Sequence, residues 1–225
     1  GRGQTLAVIG ATGSGKTTLV GLIPRFYDAT DGEVLIDGVN VKDYDFDTLY
    51  GKLGYVTQKA VLFAGTVRDN VLFGKSRAAE SDENLRRALE VSQAAEFVDK
   101  LPDGADHKIA QLGRNVSGGQ KQRLSIARAL ARDPEILVFD DSFSALDYRT
   151  DATLRGALAE QMCDATKIIV AQRIGTIRHA DQIIVLDHGR AVGIGTHKEL
   201  MQTCTVYQEI ARSQLSAEEL EREVG

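Results

Sequence analysis

Eight residues constrain this chain more than any others: Gly10-Ala11-Thr12-Gly13-Ser14-Gly15-Lys16-Thr17. They fit G-x-x-x-x-G-K-[ST], directly after the apolar run Leu6 to Ile9 and at the start of the helix-period stretch Lys16 to Ile23. A strand that ends in such a turn and feeds a helix is the opening unit of an α/β domain. Glycine lets the turn fold tightly enough for successive N–H groups to point inward at phosphate oxygens. Lys16 then reaches the terminal phosphates and the Thr17 hydroxyl is placed to ligate magnesium. Thr18 belongs to the same nucleotide-binding stretch as an early-helix residue.

The rest of the chain agrees with this opening. Short, bulky runs recur at Ile136 to Phe139, Ile168 to Ala171 and Ile183 to Leu186, as buried parallel strands require. Helix-period stretches lie between them, at Gln120 to Ala131 and Thr150 to Met162. The expected fold class is therefore α/β, a P-loop nucleotide-hydrolase architecture with a mostly parallel core sheet covered on both faces. Glu33 to Asp37 followed by Gly38 to Val41 reads as a hairpin, and His188-Gly189-Arg190 as a second turn, so antiparallel pieces flank the sheet. From Thr66 to Leu101 the pattern is mostly helical, with Leu85, Leu89 and Val98 as spaced apolar positions. We expect one domain over residues 1–225: a core of about 1–65 and 132–215, an inserted helical subdomain of about 66–131, and an acidic tail, 216–225. The tail stretch Ser216 to Glu223 is expected as a solvated or frayed helix.

Composition narrows the function classes. With 225 residues, 43% hydrophobic, 27 Lys plus Arg and 32 Asp plus Glu, the chain is long enough for a core and is not a disordered sequence. Its longest glycine-free apolar run, Ala60 to Ala64, is far below the roughly 18 residues of a membrane span. No signal-peptide pattern opens the chain, so a cytosolic location is the default expectation. Cys163 and Cys204 match no paired metal spacing. A net charge of -5 argues against a phosphate-neutralising surface for nucleic acid.

A second acidic site closes the run Ile136-Leu137-Val138-Phe139-Asp140-Asp141. A carboxylate at the end of a core strand holds a magnesium complex and its neighbour polarises the attacking water, so Asp140 is assigned to the metal and Asp141 to the water. Two aspartates after a strand also suit a turn, with Ser142 as a cap.

Val116-Ser117-Gly118-Gly119-Gln120-Lys121-Gln122-Arg123 closely resembles the signature motif of ATP-binding-cassette (ABC) ATPases. Ser117 and Gln120 also have capping-box spacing, which leaves Gly118 and Gly119 unexplained. The resemblance covers essentially the whole chain, in the family's order. Tyr55-Val56-Thr57-Gln58 looks like the glutamine loop, making Gln58 a contact to magnesium and water, although a polar strand end would read the same. Leu62 to Val71 is similar to the exporter segment that meets the transmembrane partner, and as bare sequence reads as a surface turn and helix. Ser144-Ala145-Leu146-Asp147 resembles the loop that crosses to the opposite subunit, or equally a helix start. Thr196 to Leu200 matches the exporter-type C-terminal stretch, with His197 in a structural role.

Two departures are instructive. The family's usual catalytic glutamate is replaced by Asp141, and its switch histidine by Gln172. Losing a methylene withdraws the carboxylate by about 1.5 Å, and misplacement by about 1 Å costs on the order of a hundredfold in rate. An amide cannot carry the imidazole's positive charge. The signature itself is nearly intact, with Val116 a conservative change from leucine. The pattern resembles the degenerate-site subunit of heterodimeric bacterial multidrug-type exporters. It implies ATP and Mg2+ as cofactors, slow hydrolysis in the chain's own site, and a signature that serves the site of a second, non-identical nucleotide-binding domain. It also implies transmembrane domains on the same longer polypeptide, at the cytoplasmic face of the membrane. The family's adenine-stacking aromatic lies upstream of any residue here, so the chain is expected to be an excerpt. The alternatives are a regulatory module that binds ATP without turnover, and a soluble cassette ATPase outside transport.

Overall fold

Each of the four apolar runs expected as strands is a strand, because residues of this bulk are stable only with both sheet faces covered. The computed structural model describes residues 1–74 and 81–216, so the expected tail helix, apart from Ser216, lies outside the described residues. In chain order its elements begin with β1 (Thr5–Gly10), α1 (Lys16–Gly21), β2 (Leu35–Ile36), β3 (Val39–Asn40), α2 (Phe46–Lys52) and β4 (Leu53–Val56). The middle of the chain forms β5 (Gly65–Thr66), α3 (Val67–Val71), α4 (Asp82–Val91), α5 (Ala95–Val98), β6 (Lys108–Ile109) and α6 (Gly118–Ala131). The last part forms β7 (Ile136–Asp140), α7 (Tyr148–Gln161), β8 (Thr166–Val170), α8 (Ile174–Ile177), β9 (Gln182–Asp187), β10 (Arg190–Gly195), α9 (His197–Thr203) and α10 (Thr205–Gln214).

The central sheet has six strands in the order β10-β9-β1-β8-β7-β4. All its pairings are parallel except β9 with β10, which turn back on each other through His188-Gly189. β2 and β3 form the expected hairpin apart from it. Alternation along β1 divides the packing: Ala7 and Ile9 face the larger core, while Val8 joins Val20, Val138, Val170 and Leu186 on the other side.

The helical lobe is joined to this sheet by shared packing. α6 lies against α3 and α4 and also against β4. Its buried Leu124, Ile126, Ala127 and Leu130 belong to one cluster with Leu85, Leu89 and Val98 of the lobe and Leu137 and Phe139 of β7. The lobe also carries an antiparallel pair, β5 with β6, that the helical pattern of the sequence does not announce. Strands of two residues have no periodicity to read.

This topology sets the site. β1, β8, β7 and β4 are neighbours and run the same way, so the loops that follow them emerge along one edge. The carboxyl edge of a parallel sheet is where open α/β folds bind ligands.

Candidate functional site

The loop after β1 needs glycine for a reason internal to the chain. A Cβ at residue 10 would lie 2.1 Å from the Leu186 carbonyl oxygen and 2.7 Å from Ser14 Oγ. Gly15, which precedes α1, has φ +97°, a conformation L side chains rarely adopt. Lys16 is 8% exposed, and its Nζ donates to the carbonyls of Gly10 and Ala11 at 2.8 Å each. Burial draws this ammonium below its ordinary pKa, against the opposing charges of Asp141 and Asp140. Ser14 Oγ is buried with no hydrogen-bond partner among the described residues. A buried hydroxyl without a partner is costly, and in a glycine-rich loop that opens a helix it fits an incoming phosphate oxygen.

The loop after β7 comes next to it. Asp140 accepts from the Thr17 hydroxyl at 2.8 Å and from the Tyr55 hydroxyl at 3.3 Å. Burial pushes its carboxyl pKa up and the Asp141 charge adds to that, while the Thr17 and Tyr55 hydrogen bonds and Lys16 oppose it. The Tyr55 phenol is pushed far up, first by burial and then by Asp140. Asp141 has φ +49°, an uncommon conformation for a residue with a side chain. Its Oδ2 accepts from Gln58 Nε2 at 2.9 Å and from Gln172 Nε2 at 2.7 Å. Residues expected separately after β4, β7 and β8 thus meet on one carboxylate oxygen. Among the described residues no group of three or more His, Cys, Asp or Glu side chains is arranged to hold a metal. The Thr17 hydroxyl and Asp140 carboxylate are hard oxygen donors that suit Mg2+, a metal usually held by one or two carboxylates with phosphate completing its shell.

The stretch before α6 is built differently. Ser117 is the N-cap: its Oγ accepts from the Gln120 N–H at 3.2 Å, and the Ser117 N–H donates to Gln120 Oε1 at 2.8 Å. The capping box is therefore real, yet it leaves both glycines unexplained. A Cβ on Gly118 would meet nothing within 4 Å, and one on Gly119 would lie 3.5 Å from the Ala145 carbonyl oxygen. Val116 packs partly buried against the main core.

Residues 1–144 match the family model for the ABC transporter. The chain belongs to the ABC transporter family. A protein of Mycobacterium tuberculosis described as an uncharacterized ABC transporter ATP-binding protein is 48% identical over 213 residues, which is 94% of this chain and 36% of the relative. A putative multidrug export ATP-binding/permease protein of Staphylococcus aureus is 43% identical, over 93% of the chain and 36% of the relative. The chain thus spans about a third of the length of these curated relatives. Among solved structures, a bacterial Atm1-family ABC exporter with ATP bound superposes with a TM-score of 0.89 at 37% identity, covering 95% of this chain and 38% of that one. What is in hand is the nucleotide-binding domain of the ABC family, its ATPase unit.

Within this ABC domain, the remaining segments fall as follows. Asp147 caps α7 by accepting from the Thr150 N–H and hydroxyl, so the helix-start reading of residues 144–147 holds whatever else they do. Arg173, beside Gln172, donates to the carbonyls of Leu146 and Ser144 at 3.3 and 3.4 Å and lies over the Tyr148 ring. In residues 62–71, Asn70 is buried and bonds both the N–H and carbonyl of Phe63. Arg128 from α6 donates to Asn70 and to the Val61 carbonyl. That grip leaves Val61, Phe63 and Phe73 roughly half exposed. His197 is buried with its Nδ1 2.7 Å from the Tyr207 hydroxyl, a structural setting. Cys163 is exposed, Cys204 is buried, and neither is in a disulfide. Sequence reasoning gave no role to Tyr55, Arg173 or Arg128. Tyr55 and Asp140 are 85 positions apart, and no local pattern pairs them.

Proposed function

We propose that this ABC domain binds Mg-ATP on the loops after β1, β4, β7 and β8, and that it powers export through transmembrane helices of the same longer polypeptide. The observation that carries the reading is the convergence of Gln58 and Gln172 on Asp141 Oδ2, beside the Thr17–Asp140 pair. Residues 10–18 wrap the phosphates, with Lys16 exchanging its two loop carbonyls for phosphate oxygens. Thr17 and Asp140, with Gln58, hold the magnesium. Bound there, Mg2+ neutralises charge on the β- and γ-phosphates. Asp141 and Gln58 orient the attacking water, and Gln172 donates its amide to the γ-phosphate.

Asp141 and Gln172 make this a slow, degenerate site, for the reasons of reach and charge given above. Val116, Ser117, Gly118, Gly119 and Gln120 act on the nucleotide of a facing, non-identical ABC domain. A helix N-terminus with an exposed Gly118 that carries no side chain accepts a phosphate closely. In this reading the half-exposed Val61, Phe63 and Phe73 meet the transmembrane partner, and the domain works at the cytoplasmic face of the membrane.

Steady-state turnover of Mg-ATP by the chain, beside its Asp141→Glu, Gln172→His double variant and over a range of protein concentrations, tests this. A gain of at least about tenfold, equivalent to roughly 1.4 kcal/mol of barrier, that rises with concentration supports a site held slow by these two residues. Failure of the chain to bind Mg-ATP removes the reading. Binding with no turnover by either protein removes the claim that these two residues set the rate.

A further inference from the structure

Tyr207, Ala211 and Gln214 fall at i, i+4 and i+7 of α10, on one face of the helix. Tyr207 and Ala211 are fully buried in the main core, which fixes the helix and with it the position of the third residue. Gln214 then bonds the loop after β8 with both ends of its amide. Its Nε2 donates to the Gln172 carbonyl at 2.7 Å, and its Oε1 accepts from the Ile174 N–H at 2.8 Å. The carbonyl of one residue and the N–H two positions on lie along the same edge of an extended backbone, so a single primary amide serves both as a neighbouring strand would. On the residue between them, the Arg173 guanidinium holds the carbonyls of Ser144 and Leu146. The backbone that carries Gln172 is thus fixed from two directions, while its side chain extends to Asp141.

Half of this contact has a purely local use. Ile174 opens α8, whose N-cap Arg173 offers no side-chain acceptor, so Gln214 Oε1 satisfies an N–H of the first turn. The bond to the Gln172 carbonyl has no such use. We infer that Gln214 is a positioning residue for Gln172, through which the C-terminal helix sets how well the loop after β8 meets the γ-phosphate. The inference rests on the Mg-ATP reading above.

The test is a set of equilibrium titrations of the full chain with the Mg2+ complexes of ADP and of the non-hydrolysable β,γ-imido analogue of ATP. These ligands differ in the γ-phosphate. The unaltered chain should prefer the analogue. Gln214→Met, which removes both bonds with little change of shape, should reduce that preference about threefold to tenfold, the range of one or two neutral hydrogen bonds, with ADP affinity unchanged. Gln214→Glu keeps the acceptor for Ile174 and should fall likewise, which separates positioning from helix capping. In the Gln172→Ala background Gln214→Met should have no further effect, because the side chain to be positioned is gone. Equal losses for both nucleotides, or losses that add to Gln172→Ala, would mark a general structural role and overturn the inference. If the chain binds both nucleotides and Gln214→Met keeps the preference, the inference alone fails. If it binds neither, the Mg-ATP reading fails first and takes the inference with it.

Discussion

A methyl group added at Gly10 would collide with the Leu186 carbonyl at 2.1 Å, whereas one added at Gly118 would find nothing within 4 Å. Both glycines stand in motifs that bind phosphate in the reading above. Gly10 is required by the chain itself, because the end of β1 pairs closely with the end of β9. Among the described residues nothing crowds the position of Gly118. Thr17, Asp140, Asp141, Gln58 and Gln172 likewise bond across loops far apart in sequence, while Ser117 and Gln120 bond each other. That contrast is what the proposal above predicts for a stretch that acts on the nucleotide of a facing domain.

The largest effect expected on one side of this contrast is from Lys16→Ala. It removes the charge-assisted contacts to phosphate, and Mg-ATP affinity measured by calorimetry should fall on the order of a hundredfold. An affinity within threefold of the unaltered chain would break the assignment of the loop after β1.

The same substitution at the two glycines sharpens the contrast. Gly10→Ala should cost about 1–3 kcal/mol by overpacking, a fall of several degrees in melting temperature at about 2–4 °C per kcal/mol. Gly118→Ala should be neutral or stabilising by up to about 1 kcal/mol, since it replaces glycine in a helix. In the Asp141→Glu, Gln172→His background it should nevertheless lower turnover at least about tenfold, with the chain's own nucleotide affinity unchanged. Turnover that survives Gly118→Ala would leave the signature with no role beyond its capping box.

The smallest effect concerns pH. Burial raises the Asp140 carboxyl pKa, so the folded state favours the protonated form. The stability this contributes is present below about pH 4 and is lost as pH rises through the raised value. In the absence of nucleotide and magnesium, Asp140→Asn should therefore melt higher than the unaltered chain at neutral pH, with the gap closing in acid. A gap that is independent of pH would show that the carboxyl is solvated.

Much of this was legible because it is local. The phosphate loop is a contiguous pattern set between a strand and a helix, and the four strand runs show in their bulk and continuity. The hairpin shows in its turn residues, the acidic pair in its place at a strand end, and the signature in eight adjacent letters. Helix ends were less legible: α6 begins at Gly118 and α7 at Tyr148, each two residues before the expected start, because capping by Ser117 and Asp147 extends the helix beyond its apolar period. The pair β5 and β6 was silent because each strand is two residues long.

The sequence by itself determined the α/β class, the order of the motifs, and the presence of Asp141 after the core strand and of Gln172 after the next, since residue identity and short-range spacing suffice for these. Only the tertiary structure decided that Gln58 and Gln172 share one oxygen of Asp141, that Tyr55 reaches Asp140, and that Gln214 grips the loop carrying Gln172. The physical reason is that a parallel sheet gathers the ends of strands scattered along the chain onto one edge. The bonds formed there depend on strand order and side-chain reach, which no local stretch of sequence encodes.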